Sequence, residues 1–349
     1  MSKVNLHDTV TINELRTLIP VIGSSLTPII QSEPGCGKTS LLSMMREDLG
    51  DAYDYIYVDC PVKDMSDIGM TIPNHMTKQL EYYVSSLFNL KSSKPKVILL
   101  DEFMKSPKLL QVVFTRLMLE RMVGDEPLPR GSLIFATSNN ASDGVGDTML
   151  AHAGNRICRV EMSKPTPNEW LHWASEHNIS RVVRAWVALF PRCLASYRQG
   201  NQDDNPYIFK PSMTSLSFCS PRSLAKCDVI VQNRDLLGEN ATMVALAGTI
   251  GESAAADMSA FLSLERNLVD VKDILKDPEG IKVPDEISAQ LMIMFQAIDT
   301  VADQDELTKF MKFVERVKNA EIQAVFFTMM MRNSRTVKLA RNNAKIAEW

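Results

Sequence analysis

Ser32-Glu33-Pro34-Gly35-Cys36-Gly37-Lys38-Thr39 decides the fold, because it stands between an apolar run, Pro28 to Gln31, and a helical run, Ser40 to Met45. A strand feeding a glycine-rich loop that opens a helix is the setting of a phosphate-binding loop. Gly35 and Gly37 let successive backbone N–H groups converge on phosphate oxygens at a helix N-terminus, where the helix dipole also favours negative charge. The residues expected to hold the nucleotide are therefore Glu33, Pro34, Gly35, Cys36, Gly37, Lys38, Thr39 and Ser40. Lys38 would reach the β and γ phosphates of ATP, and Thr39 would ligate Mg2+. Ser32 stands where the usual pattern has glycine, so the first turn must accommodate a Cβ. By itself the octet also fits a glycine-rich surface turn, and the strands around it have to decide.

Outward from the loop, apolar runs of strand length recur at Tyr55 to Asp59, Val97 to Leu100 and Leu133 to Thr137, with helical patterns between them. Such alternation predicts an α/β fold with a central parallel sheet and crossover helices. Lys96-Val97-Ile98-Leu99-Leu100-Asp101-Glu102 ends a buried strand in two carboxylates, which puts acids at the carboxyl edge where the loop also emerges. There Asp101 would hold the magnesium through its water shell, and Glu102 would act on the attacking water as general base. Leu133-Ile134-Phe135-Ala136-Thr137-Ser138-Asn139 ends in polar residues, and Asn139 would orient the lytic water or the γ-phosphate. Three segments in this order and spacing are expected of a nucleotide-hydrolysing core.

The remaining signals mark boundaries. Thr11 and Glu14 have capping-box spacing ahead of Leu15, Leu18 and Ile19, predicting a short helix stopped near Pro20. A crossover helix is expected with Ser106 as N-cap and Pro107 at its first position. Two prolines within Ser163 to Asn168 suggest a domain boundary, and from about Glu169 onward the chain looks all-α, interrupted at Gln199 to Pro211 and Lys276 to Pro284.

Through these residues the sequence resembles the AAA+ superfamily and, within it, the MoxR-like group. SEPGCGKT looks like its Walker A, VILLDEF its Walker B and FATSNN its sensor-1 strand, over roughly residues 10 to 230. The resemblance implies a P-loop three-layer αβα core (1–165), an all-α lid (166–250) and a C-terminal helical extension of that lid (251–349). It implies that Arg156, in Asn155-Arg156-Ile157, is an arginine finger entering a neighbour's site, with Arg159 as the competing candidate. Ser220-Pro221-Arg222-Ser223 looks like the sensor-2 motif, in which Arg222 points back toward the phosphates. Asp64 to Pro73 looks like the group's helix-2 insert; a long solvent connection is the other reading.

Function follows in kind. The resemblance implies an ATPase in a homo-oligomeric, hexameric ring that remodels a protein substrate or works with an adaptor such as a von Willebrand factor A domain protein. A nucleic-acid motor or loader, and an ATP-dependent assembly scaffold with little turnover, are the alternatives. The net charge of -4 offers no overall basic field, so nucleic acid is not the favoured partner. Six cysteines without a CxxC pair suggest a reduced, cytoplasmic setting, and no apolar run approaches the roughly 18 residues of a membrane span. His172 and His177 are not spaced as paired ligands on one helix face. Phe326, Phe327 and Met329 to Met331 are expected in a core, and Arg332, Arg335, Lys338, Arg341 and Lys345 on a solvated face.

Overall fold

The computed structural model describes residues 9–139, 157–212, 216–265 and 268–348. The chain divides into two compact units, Met1–Lys164 and Pro165–Trp349.

The first unit contains, in chain order, strands β1 (Pro28–Ser32), β2 (Asp54–Asp59), β3 (Gly69–Asn74), β4 (Gln79–Val84), β5 (Lys96–Asp101), β6 (Met122–Val123), β7 (Glu126–Pro127), β8 (Leu133–Asn139) and β9 (Cys158–Glu161). Its helices are α1 (Ile12–Ile22), α2 (Leu41–Leu49), α3 (Met65–Ile68) and α4 (Lys108–Glu120). Five strands form one sheet in the order β2-β5-β8-β1-β9, and every neighbouring pair in it is parallel.

Side-chain alternation divides the core into two layers. Val97, Leu99, Leu133 and Phe135 point to one face and pack with Leu15 and Ile19 of α1 and Leu41 and Met45 of α2. Ile98, Leu100, Ile134 and Ala136 point to the other and pack with Leu110, Phe114 and Leu117 of α4. Burying each such side chain is worth about 1.5–3 kcal/mol, so strands apolar on both faces need helices on both. The result is the three-layer αβα fold with a central parallel sheet.

Local differences from expectation have local causes. α1 has the capping box, with the Thr11 N–H donating to Glu14 at 2.7 Å, but it runs through Pro20 to Ile22. Proline so near the helix end removes only one hydrogen bond, to the Arg16 carbonyl, and the last turn still closes through Gly23 N–H to Ile19 O at 2.8 Å. α4 begins one residue late, at Lys108, with Pro107 as its N-cap. The Ser106 hydroxyl instead donates to Phe103 O at 2.7 Å, closing the turn before the helix. Of segment 64–73, the first half is α3 and the rest is β3, which pairs antiparallel with β4 as a hairpin. Met70 and Tyr83 face each other across this hairpin and are both 53% exposed.

Among the described residues the second unit is helical apart from an isolated bridge between Ile208 and Cys219. Its helices are α5 (Pro167–Glu176), α6 (Arg181–Leu189), α7 (Pro221–Gln232), α8 (Arg234–Ile250, kinked at Gly238), α9 (Glu252–Glu265), α10 (Val271–Lys276), α11 (Ile287–Thr300), α12 (Gln304–Val314), α13 (Ala320–Arg332), α14 (Val337–Arg341) and α15 (Ala344–Glu348). α11 is buried on nearly every side, as its apolar run Leu291 to Phe295 requires. Phe326, Phe327, Met329 and Met330 lie in this core, whereas Met331, expected with them, is exposed on the outer side of the helix, and the basic residues from Arg332 to Lys345 are exposed. Arg184 is buried on α6, where it pairs with Asp299 and lies over the Phe295 ring. No helix among the described residues is long and apolar enough to cross a membrane.

Candidate nucleotide-binding site

Register brings the predicted residues to one edge of the sheet. Ser32 is opposite Asn139, Gln31 opposite Ser138, and Asp59 opposite Asp101, so β1, β8, β5 and β2 present their carboxyl ends together. A crevice at the carboxyl ends of parallel strands is where ligands bind in such sheets.

After β1 the chain turns through Gly35 (φ +76°) and Gly37 (φ +93°), conformations that residues with a Cβ rarely adopt. A short helical turn, Lys38–Ser40, then leads into α2. Ser40 ties the turn to the loop, its backbone N–H donating to Gly37 O at 3.0 Å and its hydroxyl to the same oxygen at 2.6 Å. Serine is tolerated at position 32 because it is still the last residue of β1, in extended backbone, where no glycine is required. Its hydroxyl is used as well.

Lys38 is buried and folds back over its own loop. Its Nζ donates to Ser32 O at 3.1 Å, Ser32 Oγ at 3.0 Å, Glu33 O at 3.4 Å and Asn139 Oδ1 at 2.9 Å. The ammonium is thus gathered with the loop and the end of β8 on the side where phosphates would sit. Glu33 is itself buried, with Lys164 Nζ 3.9 Å from its carboxylate.

Asp101 is the centre of a hydroxyl cluster. Thr39 Oγ1 donates to its Oδ2 at 3.1 Å and the Tyr57 hydroxyl to the same oxygen at 3.0 Å, while Thr137 donates to Oδ1. Thr137 also accepts the Glu102 N–H at 3.1 Å, so one hydroxyl fixes both acids. Burial, followed by the nearby Asp101 charge, pushes the Tyr57 phenol far above its ordinary range. Glu102 has left-handed backbone (φ +51°), a conformation costing about 1–3 kcal/mol in a residue with a side chain, and Lys105 Nζ lies 2.9 Å from its carboxylate. The donors suit magnesium, which takes hard oxygen ligands and usually one or two carboxylates with substrate phosphate completing its shell.

Cys36 lies in the loop but is chemically quiet. It is 4% exposed, and burial pushes its thiol up to about 11. At pH 8 only about one thiol in a thousand would be ionised, so Cys36 should resist alkylation by iodoacetamide in the folded chain and react once denatured. Peptide mass spectrometry checks this, and native labelling at the rate of a free thiol would contradict it.

The arginines stand differently. Arg156 lies outside the described residues. Arg159 is on β9 and donates to Gln31 Oε1 of its own chain at 2.7 Å. Arg222 is exposed on the first turn of α7 in the second unit, where Pro221 starts the helix and Ser220 caps it by accepting the Ser223 N–H at 3.1 Å. Sequence reasoning missed Tyr57, Thr137, Lys105 and Lys164. Only Thr137 carried a signal, its place two residues before Asn139 at a strand end.

No family model matches the sequence, and no curated protein matches it. In structure the chain is similar to the Thermotoga maritima RuvB Holliday junction branch migration motor, with 15% identity and a TM-score of 0.37 over 85% of this chain and 86% of that one. It is also similar to NtrX from Brucella abortus, with 12% identity and a TM-score of 0.33 over 98% of this chain and 64% of that one. Likenesses this distant assign neither a family nor an activity, and the chemistry of the site rests on its own residues.

Proposed function

We propose that this chain is a magnesium-dependent ATPase of the AAA+ type, similar to the MoxR-like group, which works in a homo-oligomeric ring to remodel a protein partner. One observation carries the ATPase reading: Thr39 and Asp101 are joined at 3.1 Å on the same sheet edge where Lys38 meets Asn139. Backbone amides between Glu33 and Ser40 would cradle the phosphates, and Lys38 would turn from Ser32 and Asn139 to the β and γ oxygens. Magnesium, held by Thr39 and Asp101, would supply Lewis-acid neutralisation of phosphate charge. Glu102, freed from Lys105, would take a proton from water as its oxygen bonds to the γ-phosphorus and the bond to the ADP oxygen breaks. Asn139 would orient that water. The products are ADP and inorganic phosphate.

Two arginines complete the reading. Arg156 from a neighbour would neutralise charge developing on the γ-phosphoryl group, an effect of about 10³ to 10⁵ in rate where it has been measured. Arg222 would couple nucleotide state to movement of a lid spanning 166–250, with 251–349 as its extension. A protein rather than a polynucleotide partner is favoured by the β3–β4 hairpin, where Met70, Leu80 and Tyr83 are 53%, 72% and 53% exposed. An adaptor with a von Willebrand factor A domain would fit that role.

The test is ATP turnover per chain, measured with magnesium across protein concentration while assembly is followed by sedimentation. Turnover per chain should rise as rings form. No hydrolysis at any concentration would overturn the ATPase reading, and constant turnover by a monomer would overturn the ring.

A further inference from the structure

Asp101 is held from two sides before any cation arrives. Thr137 on β8 takes its Oδ1, and Tyr57 on the neighbouring β2 reaches Oδ2 at 3.0 Å, the oxygen that Thr39 also reaches at 3.1 Å. Tyr57 is opposite Leu99 in the ladder, two residues before Asp59 meets Asp101, so its long side chain spans the offset to the carboxylate. The residue is 43% exposed and forms part of the rim of the site.

The chemistry of Thr39 gives this arrangement a purpose. A hydroxyl has one proton; once that proton is committed to Asp101, the lone pairs of the oxygen are left for a cation. The commitment holds only while Oδ2 stays in place. Thr137 anchors Oδ1, and besides Thr39 itself the donor to Oδ2 is the Tyr57 hydroxyl, which restrains the carboxylate against turning about the Thr137 contact.

We infer that Tyr57 is a positioning residue for the magnesium site, setting the Asp101 carboxylate so that Thr39 presents a lone pair to the metal. This rests on the proposed nucleotide site. Tyr57 touches neither phosphate nor metal in this role, so its removal should change the metal dependence and leave metal-free nucleotide binding alone. Partners of this kind typically change metal affinity by about 10- to 100-fold when mutated, and the partial exposure of Tyr57, which lets water replace it, puts the expectation at the lower end.

The experiment uses the full chain and mant-ATP fluorescence, titrated in EDTA and then with magnesium at fixed nucleotide. In Tyr57→Phe the magnesium midpoint should rise about 10-fold relative to the parent, with mant-ATP binding in EDTA unchanged. Tyr57→Leu, which also removes the ring, should show the same shift. An unchanged or lowered midpoint in Tyr57→Phe would overturn the inference, as would a shift confined to Tyr57→Leu, which would mark a packing effect. Equal losses with and without magnesium would overturn it too. If the parent itself binds no mant-ATP, it is the nucleotide site that fails.

Discussion

Replacing Glu102 with glutamine should lower ATP hydrolysis by about 10²- to 10⁴-fold while leaving nucleotide affinity within about twofold, the range expected when a general base loses its ability to accept a proton. Glutamine keeps the shape of the side chain and the backbone N–H that Thr137 accepts, so the cluster around Asp101 should be undisturbed. It tolerates the left-handed backbone as well or as poorly as glutamate does, since both carry a Cβ. The variant also loses the contact with Lys105, but that pair is partly exposed and worth no more than about 1 kcal/mol, so unfolding should barely change. Single-turnover hydrolysis alongside equilibrium binding separates the two effects. A variant that cleaves ATP at the parent rate would remove Glu102 from the chemistry, and one whose biological activity is intact without hydrolysis would favour a nucleotide-dependent scaffold. Because the variant should accumulate with ATP bound, it is also the form on which to capture a partner: a bound protein supports remodelling, and a bound polynucleotide supports a nucleic-acid motor.

Much of the first unit was legible because its strands obey one rule at short range. Val97 to Leu100 and Leu133 to Ala136 are continuously apolar because both faces are covered by helices, and the observed strands extend these runs by only one to three residues at an end. The loop was legible because Gly35 and Gly37 mark positive φ directly. β9 was not, because Cys158-Arg159-Val160-Glu161 is an edge strand of four residues that alternates with polar side chains and makes no apolar run. The β3–β4 hairpin was hidden for a related reason: it buries little, and Pro73 inside β3 reads locally as a break. At the site, residues that act through sequence-local geometry could be named. Tyr57 and Thr137 could not be given their roles, because their contacts with Asp101 depend on which strands lie side by side, which spacing along the chain does not reveal.

Changing Lys38 to alanine should weaken nucleotide binding by about 10²- to 10³-fold, since charge-assisted hydrogen bonds are worth about 1.5–3 kcal/mol each and the ammonium would make more than one to the phosphates. The effect should appear in stability as well as activity. A ligand at 100 times its dissociation constant stabilises the folded state by about 2.7 kcal/mol, and for a unit of this size that raises the melting temperature by about 5–10 °C. The parent should show that rise with saturating ATP and magnesium, and Lys38→Ala should show almost none at the same concentrations. Without nucleotide the change has two opposing consequences. Ser32 O, Glu33 O and Asn139 Oδ1 lose a shared donor, but a buried ammonium is removed with it, so the melting temperature of the free protein should move far less than the ligand-induced rise. That difference identifies the cause. If Lys38→Ala melts with the same ATP-induced rise as the parent, the phosphates are not held by this loop, and the hydroxyl cluster at Asp101 must serve a different ligand.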